Sequence, residues 1–549
     1  MSSAKHPTEN NHWHDEADLV VVGFGAAGAA AAIEGRDQQA DVLVLERFVG
    51  GGATKMSGGI YYAGGGTRHQ HDAGFEDSTE NMYNYLQQEV RGVVSDETLR
   101  KFCDDSIANQ LWVEANGVIF GSAYCPFKTA YPISKYNLYY SGNETFKPFS
   151  DHATPAPRGH KPVGRGMGGR NIFVPLRDSS MDKGARVRTQ CFVKRLITDD
   201  HCRVIGVEAS ILPEGRFWNR FHALMSWFEY HTRYVTLAIP PFRHVVGSLY
   251  RLAERFGRPL RVRARKGVVL SSGGFIYNRD MVRAADPRFI VGTPLGCQGD
   301  DGSGINMGEA IGGATGNMQK ISTWRFINPP QAFPKGMLVG RSGKRLCNEM
   351  YYGARTGEHM VTAQNNGEAF LIIDKQLWLR AHRDCLPDRA TWFQTIPALL
   401  NLYFNWRKAN TIEHLAMKVG INAIALRNTL DDYNRIADNG GEGDPLGKFP
   451  EFVHKLEAPF IAINCSLGSK VFACPTLTLG GLVVNEETGE VKRDDGTEIK
   501  GLYAAGRTAV GVCSNGYMSG FAIADCIFSG RRASQHALGQ EVTHLAKKQ

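Results

Sequence analysis

Near its start the chain runs from Leu19 to Val22, an apolar and largely β-branched stretch, straight into Gly23-Phe24-Gly25-Ala26-Ala27-Gly28 and then an alanine-rich segment reaching about Gln38. Asp41-Val42-Leu43-Val44-Leu45 reads as a second strand, ending at Glu46. Strand, glycine turn, helix, strand and acid in this order leave few folds open, because each part has its own physical duty. Gly23 permits the tight turn, Gly25 lets a pyrophosphate approach the backbone, and Gly28 lets helix and strand pack closely; the helix start offers free N–H groups to phosphate. Glu46 stands where a carboxylate can accept hydrogen bonds from both hydroxyls of an adenosine ribose. The chain is expected to open on a Rossmann-like dinucleotide site.

Loops further along distinguish between dinucleotides. Directly after Glu46 comes Gly50-Gly51-Gly52-Ala53-Thr54-Lys55-Met56-Ser57-Gly58-Gly59, a glycine-dense loop in place of a further crossover helix. Such a loop can wrap a second phosphate and lie against a flavin ring. A strand from Gly267 to Leu270 ends in Ser271-Ser272-Gly273-Gly274, and Gly501-Leu502-Tyr503-Ala504-Ala505-Gly506-Arg507 again ends a strand in glycine. One large cofactor touched by four separated loops is more like FAD than NAD.

At 549 residues, with 42% hydrophobic and 21% charged residues, the chain exceeds what one core usually serves and reads as soluble, with two domains. From about Arg325 to Ala458 the texture turns helical: Thr411 is a plausible N-cap, and a helical pattern from Ile421 to Ala437 ends before Asn439-Gly440-Gly441. The expectation is an α/β chain: a discontinuous FAD-binding domain (16–325 and 459–540) with an inserted α+β cap domain (326–458) for substrate. The eleven cysteines include no C-x-x-C pair and Met1 to Glu16 is polar, which fits a reducing cytoplasm. His12/His14 and His69/His71 lack a third ligand at suggestive spacing, so they are read as surface histidines and no metal is assigned.

The net charge of +8 is concentrated. Between Arg216 and Lys266 eleven Lys or Arg face only Glu229 and Glu254, among ten aromatic residues. No apolar run there approaches the roughly 20 residues that span a bilayer. Two readings stand. The insert (215–266) lies in a membrane interface with its cations toward anionic head groups, or it is a basic helical hairpin packed on the protein. No nucleic-acid reader fold accompanies it, so no nucleic-acid partner is expected.

With these segments located, the chain resembles, over essentially its whole length, the flavoproteins of the fumarate reductase and 3-ketosteroid dehydrogenase superfamily. The resemblance rests on ADLVVVGFGAAG, GGATKMSGGIYYAGGGT, GDDGSGINMGEAIGG, GRSGKRLCNEMYY and the C-terminal GLYAAGRTAVGVCSNGYMSGFAIADCIFSGRRA. Within the superfamily, the glycine loop and Tyr517-Met518-Ser519-Gly520 resemble the 3-ketosteroid Δ4-dehydrogenases. The resemblance implies an FAD shell of Gly23, Gly25, Ala27, Gly28 and Glu46, of Gly52, Ala53, Thr54, Ser57, Gly58 and Gly59, and of Val193, Gly273, Gly506, Asn515 and Ser519. No His stands in the GGATKMSGG loop, where relatives attach FAD, so the flavin is expected to be non-covalent. The position of the fumarate reductases' arginine proton donor is Gly353 here, and dicarboxylate chemistry loses its acid unless Arg355 substitutes. Where relatives show Gly-Asp-Gly this chain has Gly302-Ser303-Gly304.

Desaturating a ketone beside its carbonyl needs a base for the α-proton, donors for enolate charge and a hydride acceptor such as flavin N5. A tyrosinate suits the first task because a phenol of pKa about 10, lowered by a neighbour, lies closer to an activated α-proton than a carboxylate does. Tyr517, read as the start of the C-terminal helix, resembles the catalytic Tyr of the Δ4-dehydrogenases, with Ser519 supporting it. Tyr351 or Tyr352 is the second hydroxyl, relaying the proton away. N–H groups around Ser519, Gly520 and Phe521 are expected to polarise the ketone. Tyr61 and Tyr62 are candidates for pocket lining; Phe120, Tyr124 and Trp324 are read as core.

The reading is an FAD-dependent oxidoreductase acting on CH–CH groups, introducing the C4–C5 double bond of a 3-ketosteroid. It is expected in the cytoplasm or peripherally on the cytoplasmic membrane, with an unidentified electron acceptor. The alternatives are Δ1-desaturation, reduction of an unsaturated acid, and a non-catalytic flavin-fold lipid binder.

Overall fold

The structure, a computed structural model, describes residues 12–539 other than 165, 239, 363 and 387–389. The polar start of the chain, 1–11, and residue 540 lie outside the described residues. The anticipated opening unit is present: β1 (Asp15–Val22), α1 (Ala26–Asp37) and β2 (Val42–Leu45). β1 runs parallel to β2, Val22 opposite Leu45, and on its other side parallel to Arg258–Leu270, Val22 opposite Leu270. The sheet continues from there to Glu498–Ala504. Leu19 to Val22 and Val42 to Leu45 are buried on both faces, as parallel strands covered by helices are. The alanines of α1 have a packing reason: at Gly530 of the C-terminal helix (Phe521–Ala537), a Cβ would overlap the Ala27 carbonyl oxygen, so the two helices meet almost backbone to backbone.

Two local readings change. The loop after Glu46 contains a short helix, α2 (Gly52–Met56), entered through Gly51 at φ +102°. The strand expected from Gly267 begins at Arg258, so the last part of the basic stretch is sheet: Leu260, Val262 and Ala264 point inward, while Arg258, Arg263 and Arg265 alternate outward. These cations are a strand's solvated face, and Arg265 pairs with Glu16 and Asp18.

What remains of the insert is a helical hairpin, Phe217–Ala238 and Pro240–Glu254; the side chains of 234–241 lie outside the description. One face packs down: His222 stacks on Phe48 at 5.6 Å between ring centroids, Tyr250 lies 4.9 Å from Phe48, and Glu254 pairs with Arg47 at 2.6 Å. The other face leaves Phe217, Leu224, Trp227, Val245, Leu252 and Phe256 exposed. No described helix is long and apolar enough to cross a membrane.

The cap carries an antiparallel sheet ordered Met337–Val339, Phe370–Asp374, Phe460–Asn464, Trp406–Ala409. Phe460–Asn464 follows the expected boundary at 458 yet pairs with every residue of Phe370–Asp374, so the cap's sheet extends past that boundary. Thr411 and Asn422 accept from the amides of His414 and Ala425, capping the two helices anticipated there. Buried Glu349 binds Arg345 at 2.7 Å and Lys448 at 3.1 Å, and Asn348 Nδ2 donates to the Gly447 carbonyl. The Asn-Glu pair of the CNEMYY motif thereby fastens the segment that carries Tyr351 and Tyr352.

Candidate active site

The glycine turn is built as its spacing implies. Gly23 has φ +99° and a Cβ there would lie 2.7 Å from the Ser271 carbonyl oxygen; a Cβ on Gly28 would overlap the Gly23 carbonyl oxygen. At Gly25 the nearest atoms to a Cβ are Thr54 Oγ1 at 3.3 Å and Gly51 O at 3.9 Å, which leaves an open cradle over the start of α1. Buried Glu46 accepts from the amides of Phe24 at 2.7 Å and Phe48 at 2.8 Å. Burial pushes its carboxyl up and the two amides oppose this. Each carboxylate oxygen keeps acceptor capacity for a ribose hydroxyl.

A cavity of about 600 Å³ runs from this turn toward the cap. Gly23, Gly25, Ala27, Glu46, Gly52, Ala53, Thr54, Ser57, Gly58, Gly59, Val193, Gly273, Gly506 and Ser519 all line it. Gly28 stands behind it as a packing position, and Asn515 is turned away, its amide donating to the Glu89 carbonyl at 3.2 Å. Arg507 and Asp300, to which the sequence reading gave no role, also line the cavity and pair at 2.6 Å. Arg507 Nη1 is buried without a partner. An open glycine cradle, a ribose-side carboxylate and an orphaned guanidinium nitrogen together fit a dinucleotide diphosphate such as that of FAD.

Beyond the glycines the wall turns aromatic. Tyr517 lies 4.5 Å from Trp324 between ring centroids, Trp324 lies 5.8 Å from Phe326, and Phe326 lies 5.3 Å from Tyr352. Tyr131, Trp392, Phe393, Ile396, Leu400 and Phe472 complete an apolar chamber. Trp324 is thus cavity wall and not core, while Phe120 and Tyr124 do not reach the cavity. Tyr61 and Tyr62, candidates for the lining, do not line the cavity; both are buried, Tyr62 N donating to the Gly520 carbonyl at 3.3 Å.

Position separates the two candidate tyrosines of the CNEMYY segment. Tyr352 is buried and lines the cavity. Tyr351 points elsewhere and donates to the Lys147 carbonyl at 2.6 Å. Tyr517 does not start the C-terminal helix; it lies in the loop before it, and the helix begins at Phe521 after Gly520 at φ +91°. Ser519 Oγ accepts from Tyr139 at 3.0 Å, and Ser519 also lies close to Tyr352. Of the three expected oxyanion amides, Ser519 N is spent on Ser141 O and Phe521 N on Met518 O. Gly520 lines the cavity with its amide unengaged among the described residues.

The phenols are not standing tyrosinates. Burial pushes Tyr517 above its ordinary range, reinforced by Cys513 and opposed by Arg507. Burial likewise raises Tyr352, with Tyr517 and Tyr139 adding and the Ser519 hydrogen bond opposing. Tyr139 gave no signal in the sequence, because its contact with Ser519 depends entirely on how distant segments meet. Asp300 and Arg507, by contrast, lie inside the GDDGSG and AAGR segments already singled out.

A Cβ at Gly353 would overlap the Phe326 ring, and Arg355 pairs with Glu358 at 2.6 Å without lining the cavity, so Arg355 does not stand in for an arginine at position 353. His69 is buried, bonded to Glu114 and Ser122, and is not the surface residue expected. Among the described residues no three metal-ligating side chains converge.

Residues 18–521 match the family described as FAD binding domain. The chain belongs to this FAD-binding family. The flavoprotein is 40% identical over 506 residues to the 3-oxo-5-alpha-steroid 4-dehydrogenase of Comamonas testosteroni, covering 90% of this chain and 93% of the relative. It superposes with TM-score 0.80 and 33% identity on the crystal structure of the 3-ketosteroid-delta4-(5alpha)-dehydrogenase of Rhodococcus jostii RHA1 in complex with 4-androstene-3,17-dione, covering 96% of this chain and 98% of that one. Its identity to the 3-oxosteroid 1-dehydrogenase of Mycolicibacterium smegmatis is 25%, over 91% of this chain and 93% of the relative.

Proposed function

We propose that this flavoprotein is a 3-ketosteroid Δ4-dehydrogenase that holds FAD non-covalently and introduces the C4–C5 double bond. One observation carries the reading: two phenols, Tyr517 and Tyr352, face a single cavity where its glycine-lined half meets its aromatic, apolar half. The apolar half suits a flat polycycle, and a carboxylate base there would bear a larger desolvation cost than a phenol. When bound, FAD supplies the hydride acceptor.

The chain's own groups do the rest. Tyr517 takes the α-proton, with Arg507 the cation that lowers the cost of its charge. The Gly520 amide holds the developing enolate oxygen. Tyr352 and Ser519 form the hydroxyl path that carries the proton onward, with Tyr139 fixing Ser519 from behind. Greater identity to the Δ4 relative than to the Δ1 relative favours C4–C5 over C1–C2 chemistry, and the absence of an arginine at position 353 argues against reduction of an unsaturated acid.

The hairpin supports peripheral contact with an anionic membrane, from which a lipid-soluble substrate would be drawn. Phe217, Arg220, Leu224 and Trp227 share the outward face of its first helix. On the cap, Trp392, Ile396 and Leu400 are each partly exposed while lining the cavity, so an apolar path leads inward from the surface.

Anaerobic addition of a saturated 3-ketosteroid is expected to bleach the bound flavin and yield a 4-ene product. A spectral shift without reduction would leave a lipid binder instead, and a 1-ene product would move the regiochemistry to ring position 1.

A further inference from the structure

A second, small pocket of about 60 Å³ lies on the outer side of Tyr277, whose ring also borders the large cavity. It is lined by Arg243, His244, Gly247 and Arg251 of the hairpin's second helix and by Tyr277, Arg279, Pro294 and Gln298. No Asp or Glu lines it among the described residues. Since a water needs about 10–15 Å³ of such space, the pocket has room for a few waters or one tetrahedral anion.

Arg243 is the decisive side chain. It is only 8% exposed, its Nη1 is buried without a partner, and its guanidinium makes no hydrogen bond or ion pair among the described residues. A guanidinium removed from water without a counter-ion is costly, so a buried one is normally paired. Arg279, half-buried opposite, donates to the carbonyls of Ile276 and Ile290 and has no acid either. Burial lowers the pKa of Arg243, and burial with the nearby Arg243 and Arg283 lowers that of Arg279, as expected where cations face one another.

The backbone is shaped to admit the third fork. A Cβ at Gly247 would stand 2.8 Å from Gln298 Oε1 and 3.6 Å from Arg251 Nη1, so only glycine lets these groups close over the helix turn. Gln298 is itself fixed, Nε2 donating to the Arg243 carbonyl at 3.0 Å.

We infer that Arg243, Arg251 and Arg279 form a binding site for a phosphate-class anion, separate from the flavin cavity. Guanidinium forks match tetrahedral phosphate oxygens in pairs and are always charged. The same chemistry could be offered by a phospholipid head group or by a soluble phosphate. Neither the substrate nor the reaction proposed above enters this inference.

The test uses purified yellow holoenzyme in chloride buffer. Inorganic phosphate is titrated calorimetrically, and flotation is measured with phosphatidylcholine vesicles with and without phosphatidic acid. Wild type is expected to bind phosphate, phosphatidic acid vesicles, or both, and each lost arginine to weaken that binding about tenfold. Arg243→Gln/Arg279→Gln tests the buried pair, and the exposed Arg251→Gln, which disturbs no core, keeps the test sound if the pair misfolds. Vesicle binding that falls with the substitutions identifies a head group; phosphate binding that falls while vesicle binding does not identifies a soluble ligand. Wild type that binds neither, or variants that bind as wild type does, would overturn the site.

Discussion

Tyr139 donates a hydrogen bond to Ser519 at 3.0 Å, joining positions 380 residues apart. Ser519 lines the cavity and Tyr139 stands behind it, so a residue outside the cavity sets the orientation of one in its wall. Tyr139→Phe is expected to lower kcat about tenfold with KM little changed, since its part is positioning. Combining it with Ser519→Ala should cost little more than Ser519→Ala alone, because both act through one hydroxyl. Fully additive losses in that double-mutant cycle would separate the two residues.

Removing the phenol at Tyr517 tests the base itself. Tyr517→Phe keeps the ring against Trp324, so steroid should still bind, while flavin reduction slows by about 10²–10⁴-fold. Stopped-flow reduction under anaerobic conditions reads this directly. A native rate would shift the role to Tyr352.

The pH profile follows from the same environment. Because burial holds Tyr517 above its ordinary range, its phenolate fraction keeps growing with pH, and kcat/KM is expected to climb from about pH 7 to about pH 10 without levelling. Arg507→Gln removes the opposing cation, raises that pKa further and lowers kcat/KM at any fixed pH in the range. A flat profile in wild type would mean that no phenolate is formed before the proton moves.

At the glycine turn, Gly28→Ala places a methyl carbon against the Gly23 carbonyl oxygen. The turn must open, and the variant is expected to purify with most of its flavin lost. Absorbance ratio at the flavin and protein bands measures the outcome; full retention would show that α1 and β1 can separate without losing the cofactor.

The cap has its own pH limit. Burial alone would raise the Glu349 carboxyl, but Arg345 and Lys448 outweigh it and hold the group at about 2, against 4.5 as the ordinary value. A depressed folded pKa contributes stability that is complete above about pH 4.5 and lost as pH falls toward 2, on the order of 3 kcal/mol in all. Glu349→Gln should destabilise the protein by about 3–5 kcal/mol at neutral pH, because buried Lys448 loses its carboxylate and buried Arg345 keeps only Asp444, and should flatten the acid limb of a melting-temperature profile. An unchanged limb would place acid sensitivity elsewhere.

The nucleotide half of the molecule was legible in the chain because its constraints are local. Gly23, Gly25, Gly28 and Glu46 occupy one strand-turn-helix-strand unit, and backbone geometry over some 25 residues leaves them little choice of position. The helix cap at Thr411 is equally short-range. The catalytic half depended on distance. Whether Tyr351 or Tyr352 faces the cavity, whether Ser519 serves Tyr517 or meets Tyr139, and whether Arg243 finds a counter-ion are settled only when segments hundreds of residues apart pack together. Side-chain direction and burial at such junctions come from the summed packing of the whole core, which no local pattern encodes.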